Sequence, residues 1–230
     1  MQSLLFVLLS PMFLVGCMIN DNEMPEPVPV SHMSIYHAAP NTSGLDIFID
    51  HLKANSQPFV YMNFSGYNSF YTGERNFKFT PSNASTTLTD TTLSLKEDKI
   101  YSLFLVNQAN NVKQFITEDV WTVPASGKAM IRLIHLSPDA PTVELTIDDN
   151  TESFFNNQNY KSASAFKEIA SGTKNLTIKT AGDNNVVATL PEIVIQEKRI
   201  YTIILRGYIT TPSGNSNSIG MQLMTNHTII

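Results

Sequence analysis

The fold of this chain is decided by the stretch Arg132-Leu133-Ile134-His135-Leu136-Ser137-Pro138-Asp139-Ala140-Pro141, which is followed by Val143-Glu144-Leu145-Thr146-Ile147-Asp148. The stretch begins as an apolar strand, turns at two prolines and an aspartate, and leaves as a strand that alternates apolar and polar residues. The same design occurs earlier as Ile35-Tyr36-His37-Ala38-Ala39-Pro40, followed by Leu45-Asp46-Ile47-Phe48-Ile49-Asp50. Two openings of one kind predict two copies of one domain.

Further positions recur in the same order at a nearly constant spacing. His37 and His135 are 98 residues apart, and Tyr101 and Tyr201 are 100 residues apart. This repeat divides the chain into five predicted segments, which are a leader at 1–17, a proline-rich stalk at 18–31, a first β-sandwich repeat at 32–120, a linker at 121–127 and a second β-sandwich repeat at 128–230.

The residue pattern within each copy predicts strands. Val143, Leu145 and Ile147 share one face of a strand whose other face is polar, as in an antiparallel sheet with one buried side. The best candidate for a helical turn is the segment 162–169. About seven short strands in about a hundred residues predict an all-β chain made of two tandem immunoglobulin-like antiparallel β-sandwich domains.

Composition excludes several classes of function. The net charge of -5 and the absence of a basic run beside the aromatic residues argue against a nucleic-acid partner. Cys17 is the only cysteine, so neither repeat can contain an internal disulfide or a cysteine metal cluster.

The first 17 residues resemble a bacterial lipoprotein leader. An apolar run from Leu4 to Val15 is roughly a dozen residues long, which is shorter than the ~20 residues that span a bilayer. The end of this run, together with the next two residues, is Leu14-Val15-Gly16-Cys17, which resembles a lipobox and predicts lipidation of Cys17. The segment Met1-Gln2-Ser3 departs from the usual pattern because it contains no Lys or Arg, and the alternative is a plain secretory signal.

Lipidation would attach the protein to a membrane of the bacterial cell envelope. Met18 stands where an inner-membrane retention signal usually has Asp, which favours the outer membrane. Whether the protein faces the periplasm or the cell surface is left open by the sequence. The predicted partners are the membrane, through the lipid anchor, and an unidentified protein or glycan.

Several of these features together resemble a known family. The His-Leu-Ser-Pro-Asp-Ala-Pro box at 135–141, Gly172 before a strand and the run Arg199-Ile200-Tyr201-Thr202 are similar to the bacterial domain of unknown function family 4397. Members of that family are secreted or lipid-anchored and often carry tandem copies. The second repeat resembles the family closely, whereas the first departs from it at 38–44. The resemblance implies a sandwich fold and an envelope location, and it implies no reaction.

The turn boxes contain the polar residues most open to a functional interpretation. His37 and His135 could bind a ligand or a metal, but no second histidine or fixed acidic residue stands at ligand spacing. We therefore predict a structural role for these histidines and for the turn residues Pro138, Asp139 and Pro141.

No metal site or cofactor is predicted elsewhere. Asp148-Asp149-Asn150 could be read as a calcium loop, but the glycine and the downstream glutamate of such a loop are missing, and a hairpin turn fits better. The usual catalytic motifs of hydrolases, metalloproteases and nucleotide-binding enzymes are absent from the sequence. We therefore predict a non-enzymatic protein without catalytic residues. A hydrolase ranks third among the functional hypotheses, behind two kinds of binding protein.

The aromatic residues Phe64, Tyr67, Phe70 and Tyr71 lie in a segment rich in Ser, Asn and Gly without strand alternation. Exposed rings among amide side chains could stack on sugars or contact a protein. The alternative is a loop that covers the open end of the sandwich. The first functional hypothesis is a lipid-anchored protein that presents two modules for protein interaction, adhesion or scaffolding. The second is a carbohydrate-binding accessory protein that uses these aromatic residues.

Overall fold

The computed structural model describes residues 27–107, 111–148 and 150–228. These residues form 17 strands. In chain order they are β1 (Val30–His37), β2 (Leu45–Ile49), β3 (Leu52–Lys53), β4 (Phe64–Tyr71), β5 (Gly73–Pro81), β6 (Thr89–Leu95), β7 (Ile100–Val106), β8 (Lys113–Glu118), β9 (Lys128–His135), β10 (Val143–Ile147), β11 (Phe155–Gln158), β12 (Ser162–Ala163), β13 (Lys167–Ala170), β14 (Gly172–Thr180), β15 (Val186–Ile195), β16 (Arg199–Arg206) and β17 (Gly220–Thr228). Among the described residues, no helix is long and apolar enough to cross a membrane.

Strands β1 to β8 form the first sandwich. One sheet has the order β4-β1-β7-β8 and the other has the order β3-β2-β5-β6. Alternate residues of both sheets point into one buried core, as the period of two requires. This core includes Met33, Ile35, Leu45, Ile47, Phe77, Phe79, Leu103 and Leu105.

Strands β9 to β17 form the second sandwich with a corresponding strand order. Its sheets run β12-β9-β16-β17, with β13 also paired to β9, and β11-β10-β14-β15. Their shared core includes Ile131, Leu133, Leu145, Ile147, Leu176, Ile178, Ile203 and Leu205. The all-β prediction is confirmed.

Each sandwich also contains one parallel strand pair, which the sequence did not indicate. In the first sandwich β1 pairs with β7 in parallel, and in the second β9 pairs with β16 in the same way. All four strands are central in their sheets, and most of their residues are buried, as is typical of strands that are covered on both faces.

The second buried face of these strands is the contact between the two sandwiches. Sheet β4-β1-β7-β8 packs against sheet β12-β9-β16-β17 through an apolar cluster that we call the intersandwich cluster. Its buried members are Tyr36, Ala38, Phe104, Val106, Ile134, Leu136, Ile204 and Met224. The two sandwiches therefore share a buried interface.

A buried ion pair lies in the same interface. Nη1 of Arg132 in β9 is 2.6 Å from Oδ1 of Asp119, just after β8, and the side chains are 2% and 0% exposed. The Asp119 carboxylate also accepts hydrogen bonds from the hydroxyls of Tyr67, Ser102 and Thr117 at 2.6–2.7 Å. The charges are thus paired and hydrogen-bonded, as burial requires.

Trp121 in the segment that links the sandwiches contacts both of them. Its ring lies edge-on to Tyr67 of the first sandwich at 6.4 Å and to Phe166 of the second at 5.6 Å. It also stacks on His227 at 6.2 Å.

The segment 162–169 forms strands rather than the expected helical turn. Ser162–Ala163 and Lys167–Ala170 both pair antiparallel with β9. A short isolated helix is marginal in water, whereas pairing with β9 satisfies the backbone groups of both strands and buries Ile169 in the second core.

Candidate functional site

The aromatic segment from Phe64 to Tyr71 is strand β4, and its interpretation as a loop is wrong. β4 pairs antiparallel with β1. A bulge explains the error, because Gly66 has a φ of 70° and the pairing register shifts between Ser34 and Tyr36. The bulge interrupts the two-residue alternation by which a strand is recognised.

The four rings of this segment do not form one exposed surface. Phe64 packs against the intersandwich cluster, and the hydroxyl of Tyr67 lies in the hydrogen-bond network around Asp119. Phe70 packs against the first core. Tyr71 is 61% exposed and is the one ring of the four that faces solvent. A flat aromatic platform for stacking sugars is therefore not built from these residues.

A cleft of about 550 Å³ opens in the side of the first sandwich between β4 and the edge formed by β2 and β3. Its floor consists of apolar core side chains, and its rim carries amide and hydroxyl groups. The lining residues are Met33, Ile35, Ile47, Ile49, Phe59, Phe64 and Phe70, with Ala54, Asn55, Asn63, Ser65, Asn68 and Ser69. None of them is charged.

The corresponding region of the second sandwich contains two phenylalanines. Ala54 N–H donates to the carbonyl of Ile47, the third residue of β2, at 2.8 Å. Phe154 N–H donates in the same way to Leu145, the third residue of β10, at 2.7 Å. Ala54 and Phe154 therefore occupy equivalent positions.

The next pair of equivalent residues, Asn55 and Phe155, also differs in size and polarity. Phe155 is 2% exposed, and its ring lies edge-on to Phe154 at 5.0 Å. In the first sandwich Asn55 accepts from Ile47 N–H at 2.7 Å and donates to the Leu45 carbonyl at 2.8 Å. The Asn55 amide thus caps the edge of β2 and leaves open the space that a phenylalanine ring takes in the other sandwich.

A lysine completes the closure of the second sandwich. Lys167 pairs in register with Ile131 of β9, as Asn68 pairs with Met33 of β1. The Lys167 ammonium lies over the rings of Phe154 and Phe155 at 5.7 and 5.2 Å and donates to the Phe154 carbonyl. Sequence reasoning missed the cleft because the repeat spacing changes from 98 to 100 residues between β2 and Ala54, which hides the equivalence.

The histidines of the turn boxes are buried and hydrogen-bonded within their own turns. Nδ1 of His37 accepts from Ala39 N–H, and Nδ1 of His135 accepts from Ser137 N–H, both at 3.3 Å. Because Nδ1 is an acceptor, the proton of the neutral His135 ring is on Nε2, which donates to the Pro141 carbonyl at 3.0 Å. Burial lowers the pKa of His37 to about 4 and also lowers the pKa of His135.

The remaining predicted polar residues form hydrogen bonds and ion pairs with other residues of the same sandwich. The Asp139 carboxylate, which lies between Pro138 and Pro141 in sequence, accepts from the N–H groups of Ile209 and Thr210 at 2.9 and 2.8 Å. Asp148 accepts from Asn175 N–H and pairs with Lys174. Cys17 and Asp149 lie outside the described residues. Among the described residues, no three His, Cys, Asp or Glu side chains lie close enough to hold a metal ion.

The buried neutral histidines predict a loss of stability in acid. The folded pKa of His37 is below its usual 6.5, so the unfolded chain binds the proton first and stability falls as the pH drops from about 6.5 to about 4. Protonated Nδ1 would also face Ala39 N–H, donor against donor. We expect His37 alone to lower the free energy of unfolding by about 2–3 kcal/mol between pH 7 and pH 4.5. Denaturant unfolding of the wild type and of His37→Gln at both pH values would measure this, and a His37 NMR titration near pH 6.5 would contradict it.

Comparison with known proteins places the chain in a family. The model of DUF4397, a domain of unknown function, matches residues 31–146, which is half of the chain. The chain belongs to the DUF4397 family. The match covers the first sandwich and continues through β9 into β10, so it lies mainly on the copy that departs more from the turn-box pattern. No curated protein matches this DUF4397 protein in sequence.

Three solved structures are similar to this DUF4397 protein at low sequence identity. CBMbc (family CBM26) from Eubacterium rectale, solved with maltoheptaose, has 10% identity and a TM-score of 0.26, with 85% of this chain and 97% of that chain covered. A candidate cell adhesion protein from Bacteroides eggerthii has 10% identity and a TM-score of 0.23, with coverage of 90% and 98%. A candidate polysaccharide binding protein (DUF1812) from Bacteroides thetaiotaomicron has 7% identity and a TM-score of 0.24, with coverage of 88% and 98%. At these scores the similarity carries no functional argument.

Proposed function

We propose that this DUF4397 protein is a non-catalytic binding protein of the cell envelope and that the cleft of the first sandwich is its ligand-binding site. One observation carries the proposal. Two sandwiches with a corresponding strand order differ in that one is closed by Phe154, Phe155 and Lys167, and the other has Ala54, Asn55 and Asn68 at the equivalent positions. The open cleft leaves Ile49, Phe64 and Phe70 partly exposed above the buried core. Apolar concave surfaces with a few polar groups are the usual form of binding sites.

The lining of the cleft indicates the chemistry of its ligand. A floor of aliphatic and aromatic side chains favours an apolar group, since burial of apolar surface is the main source of binding free energy there. The absence of charge from the lining disfavours a charged group, because its desolvation would not be compensated. The ligand is therefore uncharged where it enters the cleft.

Location at a membrane is part of the same proposal. Lipidated Cys17 would stand 13 residues before Val30, where β1 begins. The shared buried interface would then hold both sandwiches as one body near the membrane, with the cleft in its side. This arrangement suits a protein that presents a binding surface for adhesion or scaffolding.

A neutral glycan is the second candidate ligand. The amide and hydroxyl groups of Asn63, Asn68 and Ser69 stand at the rim of the cleft, and such groups hydrogen-bond sugar hydroxyls. Phe64 and Phe70 line the cleft and would supply apolar contact. In this hypothesis the glycan binds in the recessed cleft and not on an exposed aromatic platform.

The proposal is tested by filling the cleft. The full chain, extracted from membranes in detergent, is screened against envelope glycans and fractionated envelope proteins, beside Ala54→Phe and the matched variant Ala84→Phe at an exposed alanine outside the cleft. We expect Ala54→Phe to weaken binding at least about tenfold, since the new ring takes the place of the ligand's apolar group, while Ala84→Phe binds like the wild type. Equal binding by all three proteins, or none by the wild type, would contradict the proposal.

A second arm of the same experiment tests the anchor. The Cys17→Ala protein is expected to leave the membrane fraction, because its acyl chains are absent. If it stays in the membrane fraction, the lipoprotein interpretation fails while the binding proposal stands.

A further inference from the structure

We infer that the ligand of the cleft is an extended segment of a partner protein, which pairs as a strand with β4 and places large apolar side chains in the cleft. The inference rests on the proposed function and names the partner class of the same site. It joins two features of the first sandwich, namely the outer edge of β4, which has no strand partner among the described residues, and the phenylalanine-sized space beside it.

The edge of β4 is suited to accept a strand. β4 is the end strand of its sheet, and an end strand has a row of backbone N–H and C=O groups without strand partners. Proteins usually protect such edges with charged residues, prolines or bulges. β15 carries Pro191 and Glu192, and β8 begins and ends with charged residues, Lys113 and Glu118. β4 contains no charged residue and no proline, and neither do the end strands β11 and β17, but of these three only β4 borders the cleft of the first sandwich.

The bulge in β4 does not protect most of this edge. It lies at the beginning of the strand, near Gly66. From Tyr67 to Tyr71 the pairing with β1 runs without a register shift over five consecutive residue pairs. A regular edge of this length can pair with a segment of comparable length, since strands of five to six residues are the commonest in proteins.

The position of the cleft fits the side chains of such a segment. Successive side chains of a strand point to opposite faces of its sheet, so every second side chain of a strand beside β4 would point between the two sheets. The cleft lies in that space, with Phe70 of β4 and Ile47 of β2 in its lining. In the second sandwich phenylalanine rings occupy the equivalent volume, which indicates the size of side chain that the first can accept.

The opposite side of the cleft is less suited to strand addition. The backbone groups of Ile47 N–H and Leu45 C=O are already bonded to the side-chain amide of Asn55. Phe59 also exchanges backbone hydrogen bonds with Leu45. These edge groups of β2 have partners within the chain. In β4 the Tyr71 carbonyl accepts from Arg75 Nε at 3.2 Å, so the acceptor is the part of the β4 edge that precedes this carbonyl.

The inference is tested with a phage-displayed library of linear nonapeptides, selected on the full chain in detergent. We expect enrichment of segments with Phe or another large apolar residue at every second position, and with neither proline nor charge at the centre. Binding of these peptides should weaken at least about tenfold on Ala54→Phe and on Asn68→Lys, which copies the lysine of the second sandwich. Binding to Ala84→Phe should be unchanged.

Backbone pairing is then separated from side-chain insertion by N-methylation of an enriched peptide. Strand pairing uses alternate amides, so we expect methylation at one set of alternate residues to abolish binding and methylation at the other set to preserve it. Equal tolerance of both sets would overturn the inference. If no peptide is enriched and the neutral oligosaccharide probe maltoheptaose binds the wild type but not Ala54→Phe, the inference falls and the proposed function stands. If neither peptides nor maltoheptaose bind in the cleft, and the screen of envelope fractions is also negative, both fall.

Discussion

Replacing Asp119 with alanine is expected to lower the free energy of unfolding by about 3–5 kcal/mol, because it leaves the buried Arg132 guanidinium without its counter-charge. The substitution also removes the acceptor for the Tyr67 and Ser102 hydroxyls. Burial and the neighbouring Asp119 carboxylate raise the pKa of Tyr67 to about 12, so this hydroxyl stays protonated and needs an acceptor. Denaturant unfolding of the fragment 27–230 measures the loss.

A neighbouring ion pair provides the control. Lys99 Nζ lies 2.6 Å from Glu118 Oε1, the same distance as in the buried pair, but the side chains are 44% and 40% exposed. Glu118→Ala is therefore expected to cost less than about 1 kcal/mol. The double variant Arg132→Met/Asp119→Leu should be more stable than Asp119→Ala, since no unpaired charge remains. Equal losses for Asp119→Ala and Glu118→Ala would show that the interface between the sandwiches is not closed as described.

Phe155→Ala is expected to lower the free energy of unfolding by about 3–5 kcal/mol, because it removes a buried ring and leaves a cavity in the second core. The matched control is Tyr71→Ala, which removes an aromatic ring that is 61% exposed and should change stability by no more than about 0.5 kcal/mol. Unfolding curves of the two variants and the wild type compare these losses directly. A loss below about 1 kcal/mol for Phe155→Ala would mean that the ring does not fill the second sandwich.

The strands with simple alternation were predictable from sequence, and the strands with two buried faces were predictable in part. Val143, Leu145 and Ile147 alternate with polar residues, and β10 occupies that segment. β7 is recognisable as a strand from its apolar residues, and the end of β1 is recognisable from Ile35 and Tyr36 before the turn box. Their parallel pairing was not, because it depends on which strands become neighbours in the sheet and not on local propensity.

The interface and the cleft depend on contacts that leave little trace in the sequence. Arg132 and Asp119 are charged residues, which are usually exposed, and nothing local to either of them indicates burial against the other. The bulge at Gly66 hid β4. Ala54 and Phe154 are both visible in the sequence, but nothing there shows that they occupy equivalent positions. Only their hydrogen bonds to β2 and β10 establish this equivalence and identify Ala54 as the opening of a cleft.

The parallel pairing of β1 gives the protein a defined response to mechanical force. In a protein tethered through the residues before Val30, tension enters the fold along β1. Its six residue pairs with β7, from His32–Ile100 to His37–Leu105, are then strained in shear and must yield together, not one after another as in a peeled hairpin. β1 is also the direct neighbour of β4. A partner attached to β4 would therefore pull on the tether through a strand that is held on both edges and buried on both faces.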